Sequence, residues 1–178
     1  MAYVEGESAP TITEWAAVLE EAAARVGISA TLGAEPGRAV VAAAAVTLYR
    51  IGTVKEIPGI RTYVAVVGGM RDNPRPVLYG SGYETFDPVR VAAERPRAVR
   101  VVGKHCESGD VLVREGRMPD DLAVGGLLAT PVTGAYGHSM GSNYNKVLRP
   151  AVVFAHDGAS RLVVRRETLD DLLHTDVG

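Results

Sequence analysis

The sequence predicts an α+β chain that is mainly β: a short α/β opening to about Ala45, then a longer run of strands and turns. Three observations predict it. Thr11 to Gly27 carries one capped, helically spaced apolar stripe. From Val46 onward, apolar runs of strand length are separated by turn residues. Near the end, Asp157-Gly158 lies between two such runs, the pattern of a hairpin.

The elements follow in order. Thr11 and Glu14 form a T-x-x-E capping box after Pro10. Ile12, Trp15, Ala16, Leu19, Ala22, Ala23 and Val26 recur at helical spacing, and Gly27 closes the helix. Trp15 lies on that stripe and is expected in the core. Ile28 to Leu32 reads as a short strand, leading through Gly33 to Arg38 into an alanine-rich helix over Ala39 to Ala45. Strands are then expected at Val46–Val54, Thr62–Val67, Arg97–Val102, Val111–Val113, Leu127–Val132, Pro150–Ala155 and Arg161–Arg165. Pro58-Gly59 is a turn. Phe86 to Pro96 is expected as a flexible loop. Thr168 caps a last helix through Leu173, with Asp171 three residues on.

Composition bounds the function. The 178 residues suit one ordinary domain or two small ones, and 47% hydrophobic content can build a core. A net charge of -2 gives no reason to expect nucleic acid or a membrane surface. A single cysteine excludes an internal disulfide framework and fits a reducing compartment, the cytoplasm. No apolar run is long enough to span a bilayer, and no signal pattern opens the chain. Four scattered histidines lack metal-ligand spacing with that cysteine, so no metal site is expected.

Four polar stretches interrupt these elements. In Gly103 to Asp110, Cys106 is followed directly by Glu107 between two apolar runs, which places a thiol and a carboxylate in one loop. Thiols are mostly protonated near neutrality and can donate a proton. Glu35-Pro36-Gly37-Arg38 precedes a helix; it reads either as an ordinary turn or as a seat for an anion. Asp72 to Ser81 contains two prolines and is expected to be irregular. Its Arg75 and Tyr79 either grip a carboxylate together or form a surface arginine beside a half-buried tyrosine. Tyr136, among small residues from Thr133 to Ser139, is either a ligand contact or a packed aromatic.

Glu35-Pro-Gly-Arg38, Asp72-Asn-Pro-Arg-Pro-Val-Leu-Tyr79, Lys104-His-Cys-Glu-Ser-Gly-Asp110, Gly134-Ala-Tyr136, Ser142-Asn-Tyr-Asn145 and Arg149-Pro-Ala151, in this order, resemble the diaminopimelate decarboxylases, fold-type III, alanine-racemase-like enzymes that use pyridoxal 5'-phosphate. The resemblance covers the C-terminal part of that family. It implies that residues 1–45 are the last units of a (β/α)8 barrel, and that residues 46–178 form a Greek-key-like β-barrel domain. It implies a homodimer whose sites borrow from both copies, or complementation with an N-terminal barrel half.

The resemblance also implies roles. Glu35, Pro36, Gly37, Arg38 and Tyr136 would hold the cofactor. Arg38, Arg75, Tyr79, Glu107 and Tyr136 would bind meso-diaminopimelate, with Arg75 and Tyr79 on its distal carboxylate and Glu107 on its distal ammonium. Cys106 would protonate the carbanion left after carbon dioxide departs.

Several positions depart from the family's pattern. Lys55, Lys104 and Lys146 are the only lysines, and none matches the Schiff-base lysine. Val67, Arg71, Ala42 to Ala45, Gly137 and His138 also differ from the usual residues. The isolated chain is therefore expected to be inactive without an N-terminal half. The alternatives are a non-catalytic dimerisation or binding module, a broken gene product, and a related pyridoxal-phosphate amino-acid decarboxylase, which Cys106-Glu107 with Arg75 and Tyr79 argues against.

Overall fold

A computed structural model describes all residues, Met1 to Gly178. The opening helix α1 (Ile12–Arg25) has both halves of its capping box: Thr11 accepts from Glu14 N–H, and Glu14 accepts from Thr11 N–H. Trp15 is a correction. It is 46% exposed, and no residue of α1 is buried, because no other element of the chain covers its apolar stripe. Ile28 to Leu32 is a second correction. It has no strand neighbour to pair with and forms no regular structure. The alanine-rich stretch divides into α2 (Arg38–Val41) and a 3₁₀ turn at Ala42–Ala44.

From Val46 the chain is mostly sheet. Strands β1 (Val46–Ile57), β2 (Arg61–Val66), β3 (Arg97–Val102), β4 (Val111–Met118) and β5 (Leu127–Pro131) form one curled sheet in the order β4-β3-β2-β1-β5. β1 and β4 run several residues beyond their expected ends. Alternation sets the inner face: Thr62, Val64 and Val66 are buried on β2, Val99 and Val101 on β3. With Tyr49, Ile51, Tyr83, Leu112, Val113, Met118 and Leu128, the apolar residues among them make the core. A hairpin of β6 (Val152–His156) and β7 (Ala159–Val164) turns at Asp157-Gly158 as expected, and α4 (Leu169–Leu173) closes the chain.

One pairing decides where the site is built. β2 and β3 are parallel, so the chain must cross back between them. The crossover carries Arg71, Asp72, Asn73, Arg75, Tyr79 and Tyr83. Within it, Arg75–Tyr79 is a one-turn helix, α3, where irregular chain was expected. Pro76 fits its first turn, where no N–H is required, and Gly80 ends it in the left-handed region at φ 64°. The expected loop from Phe86 has no helix or strand of its own but is tied at one end. Phe86 and Ala129 of β5 exchange backbone hydrogen bonds of 3.1 and 2.9 Å. Thr85 Oγ1 accepts from Arg117 N–H of β4 at 3.0 Å and donates to its carbonyl at 2.8 Å. These adjacent residues thus reach both edges of the curled sheet.

Candidate functional site

Two clusters hold the polar residues singled out above. The first forms where the loop after β5 meets α2. Gly134 N–H donates to Ala42 O at 3.0 Å. A Cβ on Gly134 would lie 2.0 Å from Val41 O, so only glycine permits this approach. The loop carries Tyr136, at φ 66°, onto Gly37. A Cβ on Gly37 would lie 2.2 Å from Tyr136 Oη. The Arg38 guanidinium stands 4.9 Å from the centre of the Tyr136 ring. Gly37, Arg38 and Tyr136 are thereby brought together, and Glu35 and Pro36 are exposed beside them.

Arg75 belongs to the same side of the molecule. Its guanidinium lies 5.2 Å from the ring centres of both Tyr79 and Tyr3, and its Nη2 donates to Ser81 Oγ at 2.9 Å. Tyr3 meets Tyr83 edge-on, with ring centres 5.5 Å apart. Burial pushes the Tyr83 hydroxyl up, against the pull of the Arg75 and Arg38 charges. Both guanidiniums therefore act on one buried phenol. Neither Arg38 nor Arg75 forms an ion pair. Arg38 Nη1 and Arg75 Nε are buried with no protein acceptor. Two uncompensated cations with unfilled donors are suited to an anionic ligand. The bare backbone at Gly37, the unpaired Arg38 donor and the Tyr136 ring fit a phosphorylated cofactor. Lys55 and Lys104 are exposed on β1 and before the cysteine loop, and Lys146 follows Tyr144; none joins this cluster.

The second cluster is the loop between β3 and β4. Cys106 and Glu107 are exposed there. Glu107 accepts only from its own loop, from Ser108 Oγ at 3.4 Å and Gly109 N–H at 3.3 Å. The loop expectation holds for these residues, but His105 and Asp110 are buried. Asp110 Oδ2 lies 2.6 Å from His105 Nδ1 and accepts from His105 N–H at 3.0 Å; its Oδ1 accepts from Met70 N–H at 2.7 Å. Gly69 and Gly103 make room: a Cβ on either would lie within 2.5 Å of this pair.

Asp72 links the two clusters. Its Oδ2 accepts from Gly69 N–H at 3.1 Å, and its backbone carbonyl faces Gly137, next to Tyr136. Burial pushes its carboxyl up, opposed by Arg71, whose Nη1 is 2.5 Å away. The unusual Arg71 is thus a buried partner of Asp72, whereas Val67 is exposed. Burial, then Asp72, push the Tyr49 hydroxyl up. No hydrogen bond, ion pair or ring contact joins Cys106 or Glu107 to Arg38, Arg75, Tyr79 or Tyr136 within one chain. Sequence reasoning missed Tyr3, Tyr83, His105 and Asp110. The glycines at 69 and 103 were a usable signal for the last two.

Residues 38–134 match the pyridoxal-dependent decarboxylase C-terminal sheet domain. The chain is 56% identical over 147 residues to a diaminopimelate decarboxylase of Actinosynnema pretiosum, covering 82% of this chain and 33% of that protein. It is 45% identical over 186 aligned residues to the diaminopimelate decarboxylase of Mycobacterium bovis, covering 99% and 42%. Among solved structures it is similar to a diaminopimelate decarboxylase from M. jannaschii in complex with L-lysine, with a TM-score of 0.85 and 30% identity, over 99% of this chain and 40% of that one. The chain therefore spans about two fifths or less of the length of these relatives.

Proposed function

Because the chain belongs to the pyridoxal-dependent decarboxylases through their C-terminal sheet domain, we propose that it forms the substrate-reading part of a diaminopimelate decarboxylase, which converts meso-2,6-diaminopimelate to L-lysine and carbon dioxide. The observation that carries this reading is the pair of guanidiniums without acid partners, Arg38 and Arg75, each with a buried donor that meets no protein acceptor. The relatives from Mycobacterium bovis and Actinosynnema pretiosum carry that activity by name.

Residues 1–45 are the last units of a (β/α)8 barrel, whose remaining units would cover the apolar stripe of α1. Residues 46–178 are the Greek-key-like β-domain, with Thr85 and Phe86 bridging its open edges. Pyridoxal 5'-phosphate, when bound, supplies the electron sink that makes loss of carbon dioxide feasible. Arg38 Nη1 and the backbone at Gly37 would hold its phosphate, Glu35 and Pro36 would shape the same turn, and the Tyr136 ring would pack beside it. Arg75 and Tyr79 hold the distal carboxylate, and Arg38 and Tyr136 also face the substrate. Holding both ends fixes which carboxylate can leave. Glu107 accepts from the distal ammonium. Cys106 holds the proton at Sγ and delivers it to the carbon that has lost carbon dioxide.

No direct contact joins Cys106 or Glu107 to Arg38 or Arg75 within one chain, and in this reading each site takes these two residues from a second copy, in a cytoplasmic homodimer. The cofactor-anchoring lysine would come from the barrel half, and the isolated 178-residue chain is inactive.

The test joins this chain to the barrel half of a family member and measures carbon dioxide and lysine formed from meso-diaminopimelate. Turnover of ornithine but not diaminopimelate would replace this reading with that of a related decarboxylase. Mixing equal amounts of Cys106→Ala and Arg38→Ala subunits tests the shared site. Each mixed dimer keeps one intact site, so roughly a quarter of wild-type activity should return if subunits exchange at random. No return in dimers shown to have exchanged would place each site within one chain.

A further inference from the structure

The Arg75 guanidinium is flanked by two tyrosine rings, and only Tyr79 has been given a role. Tyr3 is the other, with its ring centre also 5.2 Å from the guanidinium carbon. Tyr3 is itself braced: Tyr83, 2% exposed, meets it edge-on, and Tyr3 packs against the core. The backbone there is pinned too. Tyr3 N–H donates to Glu7 at 2.7 Å, and Glu5 N–H donates to Glu84 at 2.7 Å. Meanwhile Ser81 takes one proton of Arg75 Nη2, and Nε is enclosed without an acceptor. Nη1 and the second Nη2 proton are left to meet a carboxylate.

We propose that Tyr3 is a positioning residue that confers specificity: its ring, braced by Tyr83, holds Arg75 against Tyr79 and fixes the edge that Arg75 presents to a terminal carboxylate of the substrate. This rests on the substrate reading given above. The physical reason is orientation. A guanidinium on three rotatable methylenes samples many planes, and bidentate recognition of a carboxylate uses one of them. Aromatic faces favour the cation and restrict its rotation. The role belongs to the ring and not to the hydroxyl, since Tyr3 Oη is buried with no partner. Removing that oxygen leaves the clamp in place.

The experiment uses the assembled holoenzyme with Tyr3→Leu and Tyr3→Phe. Calorimetry measures binding of pimelate, a diacid without amines, and of cadaverine, a diamine without carboxylates. Tyr3→Leu should weaken pimelate roughly tenfold, the order expected for a partly buried cation–π contact. Cadaverine affinity and cofactor absorbance should be unchanged, and KM for diaminopimelate should rise with kcat nearly constant. Tyr3→Phe should match wild type in every readout. Equal weakening of pimelate and cadaverine, unchanged pimelate binding, or a Phe variant as weak as Leu would each overturn the proposal. If Tyr3→Leu does not fold, Tyr3→His replaces it: weakened pimelate supports the role, full affinity overturns it. Wild-type turnover of diaminopimelate with pimelate binding indifferent to residue 3 defeats the positioning role alone. A wild type that neither turns over diaminopimelate nor binds pimelate defeats both readings.

Discussion

His105 Nδ1 and Asp110 Oδ2 lie 2.6 Å apart with both side chains closed to solvent, and the exposed Cys106-Glu107 loop is strung between them. The loop keeps Cys106 and Glu107 exposed while its two ends are fixed. Asp110 also holds Met70 N–H, so the same carboxylate ties the loop to the turn after β2.

Asp110→Ala should therefore be costly. It strands His105 N–H, His105 Nδ1 and Met70 N–H as buried groups without a partner. The loss should be about 3 kcal/mol or more. Urea denaturation measures it, and thiol labelling of Cys106 should become less sharply single-phased as the loop loses its anchor.

Gly37→Ala should weaken cofactor binding. The new Cβ would fall 2.2 Å from Tyr136 Oη and force that side chain out of its place over the turn. A loss of about tenfold or more in pyridoxal-phosphate affinity is expected, read by absorbance titration.

Arg75→Met should raise KM for diaminopimelate by about a hundredfold, the size of a charge-assisted, bidentate contact removed from a partly buried site. Arg75→Lys should recover little of it, since an ammonium cannot fill the planar slot between Tyr3 and Tyr79. Steady-state kinetics of the assembled enzyme checks both.

Acid should loosen the C-terminal segment. Hydrogen bonds from Arg165, then from Thr168 N–H, hold the Asp171 carboxyl well below the usual carboxylate range. A depressed folded value means that its contribution is present above the ordinary carboxylate pKa and lost as pH falls through the folded one. Asp171→Asn should flatten the acid-side dependence of tail order, followed by NMR of α4 amides below about pH 4. Because the pair is open to solvent, added salt should shrink the difference.

Local chemistry was legible in the chain. Thr11-x-x-Glu14 became a complete capping box, and the Asp171 carboxylate accepts from Thr168 N–H at the start of α4, because a cap involves only residues three apart. The sheet strands were legible from apolar runs, since alternation is a property of one segment. The short helix α3 was not, because two prolines within three residues ordinarily mark irregular chain, and here Pro74 is its N-cap and Pro76 sits in its first turn. The Gly37–Arg38–Tyr136 grouping was named from motif resemblance, with no local signal that required it to meet, whereas Arg75 and Tyr79 were paired from their own short stretch.

By itself, then, the sequence determined the caps and the seven strands from Val46 onward. Only the tertiary structure decided that β2 and β3 run parallel, that the crossover delivers Arg75 beside Tyr3 and Tyr83, and that Trp15 stays exposed. Caps and alternation act over a few residues, whereas pairing partners, burial and side-chain neighbours are chosen by segments far apart in the chain.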